Sequence, residues 1–138
     1  MRKYFVDTNV FLRFYTADDK QQQLEAQEIF FKARDGEIEL FCGPPVFFEV
    51  AWVLRSRYKI SNTDILDKLE SMLTIPNLHV FDSDYVKQAI FLARESKQSY
   101  ADAYIAVIAK NEQIGVATFN KRHFVKLDVP LYPSKGGE

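Results

Sequence analysis

The chain has 138 residues, 47% of them hydrophobic and 27% charged, which supports one folded domain with a real core and excludes intrinsic disorder. Lys and Arg number 18 against 19 Asp and Glu, a net charge of −1, so any nucleic-acid binding must come from a local patch or a metal rather than from bulk charge. A single cysteine, Cys42, excludes an internal disulfide framework, and with no apolar run near the ~20 residues of a membrane span and no signal peptide read at the start, a soluble cytoplasmic protein without a membrane partner is expected.

Tyr4-Phe5-Val6 reads as a short buried strand, followed at once by Asp7-Thr8-Asn9 and an apolar helical turn or two over residues 10–15. A helix is predicted over about 18–34, because Leu24, Ala26, Ile29, Phe30 and Ala33 recur at three and four. Asp35-Gly36 ends it, and Ile38–Cys42 reads as a second strand. Gly43-Pro44-Pro45 breaks that strand and opens a helix over 46–58, since proline is tolerated in a first turn. Ser61-Asn62-Thr63-Asp64 has capping-box spacing and starts another helix to about residue 73. A strand over 78–81, helices over 82–95 and 99–111, a strand over 115–118 and a fifth over 129–132 complete the pattern.

Short apolar strands alternating with helices predict an α/β fold with a mostly parallel central sheet of four or five strands. One domain is expected over 1–133, with residues 134–138 as a polar, flexible tail. In such sheets ligands bind beyond the carboxyl ends of the strands, which is where Asp7 and Asn120 fall.

Most acids, among them Glu25, Glu28, Asp35, Glu37, Glu39, Asp67 and Glu70, read as solvated surface. Three do not. Asp7 ends a hydrophobic strand; the bland reading is a helix N-cap. Glu49 has Val46, Trp52 and Val53 at helical spacing and no basic residue there. A buried, unpaired carboxylate costs several kcal/mol and so needs a cation or a cleft; the bland reading is an exposed Glu. Asp102 stands in a first turn, where Ser99 offers a capping partner, on a face continued by Ile105, Ala106 and Ala109. Clustered carboxylates repel unless a cation neutralises them, and hard oxygens without His or Cys favour Mg²⁺ or Mn²⁺. His79 and His123 have no paired spacing and do not read as ligands. Cys42 reads as a small buried hydrophobe. The pairs Phe30-Phe31 and Phe47-Phe48 read as core or as an interface.

These residues resemble the PIN-domain ribonucleases, in particular the VapC-like toxins of type II toxin–antitoxin systems. Phe5-Val6-Asp7-Thr8-Asn9-Val10 matches the opening motif, and Glu49-Val50-Ala51-Trp52-Val53-Leu54 the helix that bears the second acid. Residues 100–106 (Tyr-Ala-Asp-Ala-Tyr-Ile-Ala) and 117–124 (Ala-Thr-Phe-Asn-Lys-Arg-His-Phe) resemble the third and fourth motifs. The resemblance implies a three-layer α/β/α fold and a site that binds Mg²⁺ or Mn²⁺ and cuts RNA. It assigns Asp7, Glu49 and Asp102 as metal-binding acids and places Asn120 where many relatives carry a fourth acid. Ser99 stands where close relatives often carry another acid. Thr8, Asn9, Ser99 and Thr118 become candidates for hydrogen bonds that orient carboxylates, water or phosphate. Arg13, Lys121 and Arg122 become possible RNA contacts. The resemblance also implies a homodimer and a small antitoxin whose tail fills the acidic groove. Asn120 and Ser99 keep open the alternative of a catalytically weak module that only binds RNA or protein. A phosphatase with an Asp after its first strand would want a second Asp where Asn9 stands.

Overall fold

A computed structural model describes residues 2–132; the tail expected over 134–138 lies outside them. The chain forms two compact units, one ending at Ser83 and one beginning at Asp84.

The first unit runs β1 (Arg2–Phe5), α1 (Thr8–Tyr15), α2 (Lys20–Arg34), β2 (Ile38–Cys42), α3 (Pro44–Ser56), α4 (Asn62–Met72) and β3 (Leu78–Val80). Its strands lie in the order β1-β2-β3 with both pairings parallel, Tyr4 opposite Leu40 and Leu40 opposite Leu78. Parallel neighbours need a crossover, and a helix pair supplies each: α1 with α2, then α3 with α4. Central β2 supplies the fully buried Leu40 and Cys42. The reading of β1 as a buried strand reaching Val6 is corrected. Its four residues are exposed because it forms the edge of this three-stranded sheet, and burial begins only at Val6.

The helices bury the stripes that their spacing announces. Phe11 and Leu12 of α1, Phe30 and Ala33 of α2, Val46, Phe47, Val50 and Leu54 of α3, and Ile65, Leu66 and Leu69 of α4 are all interior. Phe30 meets Phe11 at a ring-centroid distance of 5.4 Å and Phe14 edge-on at 4.8 Å, a favourable aromatic geometry. The pair Phe30-Phe31 thus splits, with Phe31 exposed under the Arg34 guanidinium. Helix ends follow local chemistry. Asp19 caps α2 by accepting the Gln22 N–H, and Ser61 caps α4 by accepting the Asp64 N–H. Pro44 and Pro45 occupy the first turn of α3. Gly36, at φ +80°, makes the left-handed turn that ends α2.

The second unit holds α5 (Ser83–Ser96, its first residue closing the first unit), α6 (Tyr100–Glu112), β4 (Val116–Ala117), α7 (Lys121–Val125) and β5 (Leu131–Tyr132). β4 and β5 pair in parallel, Val116 opposite Leu131. Val86, Ala89, Ile90 and Ala93 of α5 are interior, as are Ala103, Ala106 and Val107 of α6 and Phe124 of α7. Ser99 caps α6 by accepting the Asp102 N–H at 3.2 Å. All strand pairings among the described residues are parallel and alternate with helices, the α/β fold that the pattern predicts. No helix among the described residues is long and apolar enough to cross a membrane.

Candidate functional site

Asp7 leaves the carboxyl end of β1 and caps α1: its Oδ1 accepts the Thr8 N–H at 2.8 Å. Thr8 is buried, 4% exposed, and its hydroxyl donates to Oε1 of Glu49 at 2.6 Å. One threonine therefore touches both acids, although Glu49 lies 41 residues further along the chain. Each acid spends one oxygen on Thr8. Among the described residues, Oδ2 of Asp7 and Oε2 of Glu49 have no protein partner.

Glu49 is exposed, which corrects its reading as a buried carboxylate in need of a cation. The buried stripe of α3 is Val46, Phe47, Val50 and Leu54, and Glu49 lies off it beside the 61%-exposed Trp52. Asn9 is exposed in the first turn of α1. Arg13 is already engaged: Nε donates to Gln22 at 2.7 Å and a second guanidinium nitrogen pairs with Asp18 at 3.2 Å. Asp18 also accepts from the Tyr58 hydroxyl at 2.6 Å and from Thr16 at 2.9 Å. The Tyr58 bond first, then Thr16 and more weakly Arg13, hold its carboxyl below the ordinary value.

In the second unit Asp102 is half-buried in the first turn of α6. Nδ1 of His123, on α7, lies 3.2 Å from its Oδ2. An ionised carboxylate only accepts, so Nδ1 carries the hydrogen in that bond. Asn120 opens α7 with its side chain exposed, and its N–H donates to the Thr118 hydroxyl at 2.9 Å. Lys121 and Arg122 are exposed on α7. The link from His123 to Asp102 had no signal in the sequence: 21 residues separate them, and neither histidine has ligand spacing.

The groups around Thr8 suit Mg²⁺ or Mn²⁺ in kind: two hard carboxylates, Asp7 past the end of a parallel strand and Glu49 on α3, oriented by a backbone and a hydroxyl donor. Among the described residues no group of three or more His, Cys, Asp and Glu is arranged to hold a metal ion. The structure thus brings Asp7, Thr8 and Glu49 together in one unit, and Ser99, Asp102 and His123 in the other.

The family model of the PIN domain matches residues 4–130. The chain is 28% identical over 124 residues to the VapC ribonuclease of Aquifex aeolicus (strain VF5), across 88% of this chain and 90% of that one. It aligns with the solved structure of FitAB bound to an IR36 DNA fragment at 18% identity and a TM-score of 0.35, covering 94% and 93% of the two chains. It aligns with FitAcB from Neisseria gonorrhoeae at 20% identity and the same TM-score, covering 94% and 95%.

Proposed function

The chain belongs to the PIN-domain family, and from that premise we propose that it is a Mg²⁺- or Mn²⁺-dependent endoribonuclease, the toxin of a toxin–antitoxin pair. The similarity to a relative named VapC ribonuclease supports the substrate class. The observation that carries the proposal is the Thr8 junction, which fixes two carboxylates from distant segments with one oxygen of each still available.

Asp7 and Glu49 would hold the ion through those oxygens, and the family's third and fourth positions fall to Asp102 and Asn120. A bound divalent ion would supply positive charge against the phosphate and lower the pKa of a water it coordinates. Asp7 does not need to move to serve, because its cap bond already sets its rotamer. The Thr8 hydroxyl keeps Glu49 aimed. His123 holds one oxygen of Asp102 in the same way. Cleavage by an activated water would leave a 5′-phosphate and a 3′-hydroxyl. Exposed Asp7 and Glu49 also suit a guanidinium, which supports an antitoxin whose tail closes the site with an arginine.

The test is RNA cleavage by the wild type and by Asp7→Asn. An amide keeps the cap, so the variant should melt like the wild type while Mg²⁺- or Mn²⁺-dependent cleavage disappears, as it should for the wild type in chelator. Full cleavage by the variant, or in chelator, refutes the proposal. Binding without cleavage under every metal condition would make the chain a binding module, the reading that Asn120 and Ser99 favour.

A further inference from the structure

Asp102 is held at two points. Ser99 accepts its N–H at 3.2 Å, which fixes the backbone in the first turn of α6. Nδ1 of His123 lies 3.2 Å from its Oδ2, which restrains the side chain. The acid is the more enclosed of the two partners, its side chain 21% exposed against 51% for His123. Among the described residues no other side chain meets this carboxylate, so the imidazole is what sets its orientation.

Local structure explains why the ring stands there. The Thr118 hydroxyl accepts the Asn120 N–H at 2.9 Å, and the Asn120 carbonyl accepts the His123 N–H at 3.2 Å. The next residue, Phe124, is 3% exposed and seats α7 in the core of the second unit. The backbone of His123 is thus held between a hydrogen-bonded turn and a buried ring. The Asn120 side chain, by contrast, is exposed and makes no cap bond. Within residues 117–124, then, contact with Asp102 runs through position 123 and not through position 120. The other histidine, His79, also meets an acid, Glu39 at 3.0 Å, but that pair bridges β3 and β2 and lies outside every motif.

We infer that His123 is the positioning residue of the third acid: its Nδ1–H holds Oδ2 of Asp102 and leaves Oδ1 the freer oxygen for a cation. The inference rests on the metal-dependent reading of the site and adds a residue to it. A carboxylate that is free to rotate loses that freedom when it grips an ion, and a donor that has already fixed it removes part of the cost. Partners of this kind behind a metal ligand typically carry about 10–100-fold in metal affinity. Direct ligation by the imidazole fits less well. With Nδ1 spent on Asp102 only Nε2 is left, on the other side of the ring from that carboxylate, and Mg²⁺ and Mn²⁺ are suited by oxygen donors.

The experiment is a Mn²⁺ titration of the full chain without RNA, followed by magnetic resonance at one fixed pH, with thermal melting of every variant. His123→Asn places an amide N–H where Nδ1 stands, and His123→Gln places one where Nε2 stands. His123→Ala and His123→Gln should bind Mn²⁺ at least about tenfold more weakly, whereas His123→Asn should stay near the wild type. All three should melt close to the wild type, because the ring is half-exposed. In metal-free wild type, nitrogen spectra of the ring should show Nδ1 of His123 protonated. Mn²⁺ affinity of His123→Ala equal to that of the wild type overturns the inference. So does a Gln variant that matches the Asn variant, or an Nδ1 that carries no proton. Asp102→Asn tests the acid itself. If it weakens Mn²⁺ binding and His123→Ala does not, this inference falls alone. If Asp102→Asn binds Mn²⁺ as the wild type does, the reading of Asp102 as a metal-binding acid falls and takes the inference with it.

Discussion

Thr8→Val separates the role of Thr8 in the site from its role in the fold. Valine keeps the shape of threonine in a position that is 4% exposed, so packing is preserved and only the hydroxyl is lost. That hydroxyl donates a 2.6 Å bond to a carboxylate, and bonds to charged groups contribute about 1.5–3 kcal/mol at most. Glu49 is exposed and water replaces the lost donor, so the net cost in stability should be no more than about 1 kcal/mol, or roughly 3 °C in melting midpoint. The site should lose far more. Freed from Thr8, Glu49 samples all its rotamers, and loss of a group that orients a ligand typically costs about 10–100-fold in metal affinity or activity. The assay is a Mn²⁺ titration followed by magnetic resonance, with cleavage rate and thermal melting measured on the same preparations. Thr8→Ser, which keeps the hydroxyl, should fall close to the wild type in all three. Cleavage and Mn²⁺ affinity of Thr8→Val within about twofold of the wild type would refute the reasoning, since the margin expected from such an orienting bond is at least tenfold.

Three further outcomes are expected. Ser99→Ala removes the cap of α6 and should lower stability by about 1 kcal/mol in denaturant melts, with Ser99→Asn recovering most of it. Burial pushes the Cys42 thiol from an ordinary 9.0 up to about 12, against a smaller lowering by a backbone hydrogen bond at Gly43. A thiol reagent at pH 8 should therefore label it only as fast as the chain opens. The stability that comes from keeping the thiol protonated is fully present below pH 9.0 and is lost as pH rises toward about 12, which alkaline melts of Cys42→Ala will show as a flatter limb. Asp18 has its carboxyl lowered, chiefly by Tyr58, so its contribution is present above the ordinary value of 3.8 and is lost as pH falls below it. Tyr58→Phe should accordingly reduce the acid sensitivity of the melting midpoint.

What was legible in the chain was what local chemistry dictates. The spacing in α2, the prolines that open α3 and the serines that cap α4 and α6 each act within four residues, so their elements appear where the pattern puts them. The start of α2 moved to Lys20 because Asp19 takes the cap while Asp18 is engaged by Arg13, Thr16 and Tyr58. Helix α7 was not foreseen: it has five residues and no side-chain cap, too short to show a period. Asp7 and Glu49 stood out as acids in apolar company and Thr8 as a residue that could orient a carboxylate, yet spacing alone does not say that Thr8 reaches Glu49, because that bond spans 41 residues. The exposure of Glu49 was misread for a related reason, since its helical neighbours are apolar but only Val46 among them is buried.

The cap bond of Asp7 limits what can replace it. With Oδ1 already accepting the Thr8 N–H, Oδ2 is the oxygen that would be the freer to meet an incoming cation. A glutamate there, one methylene longer, would have to choose between the helix start and the ion, so the shorter acid alone can do both at once.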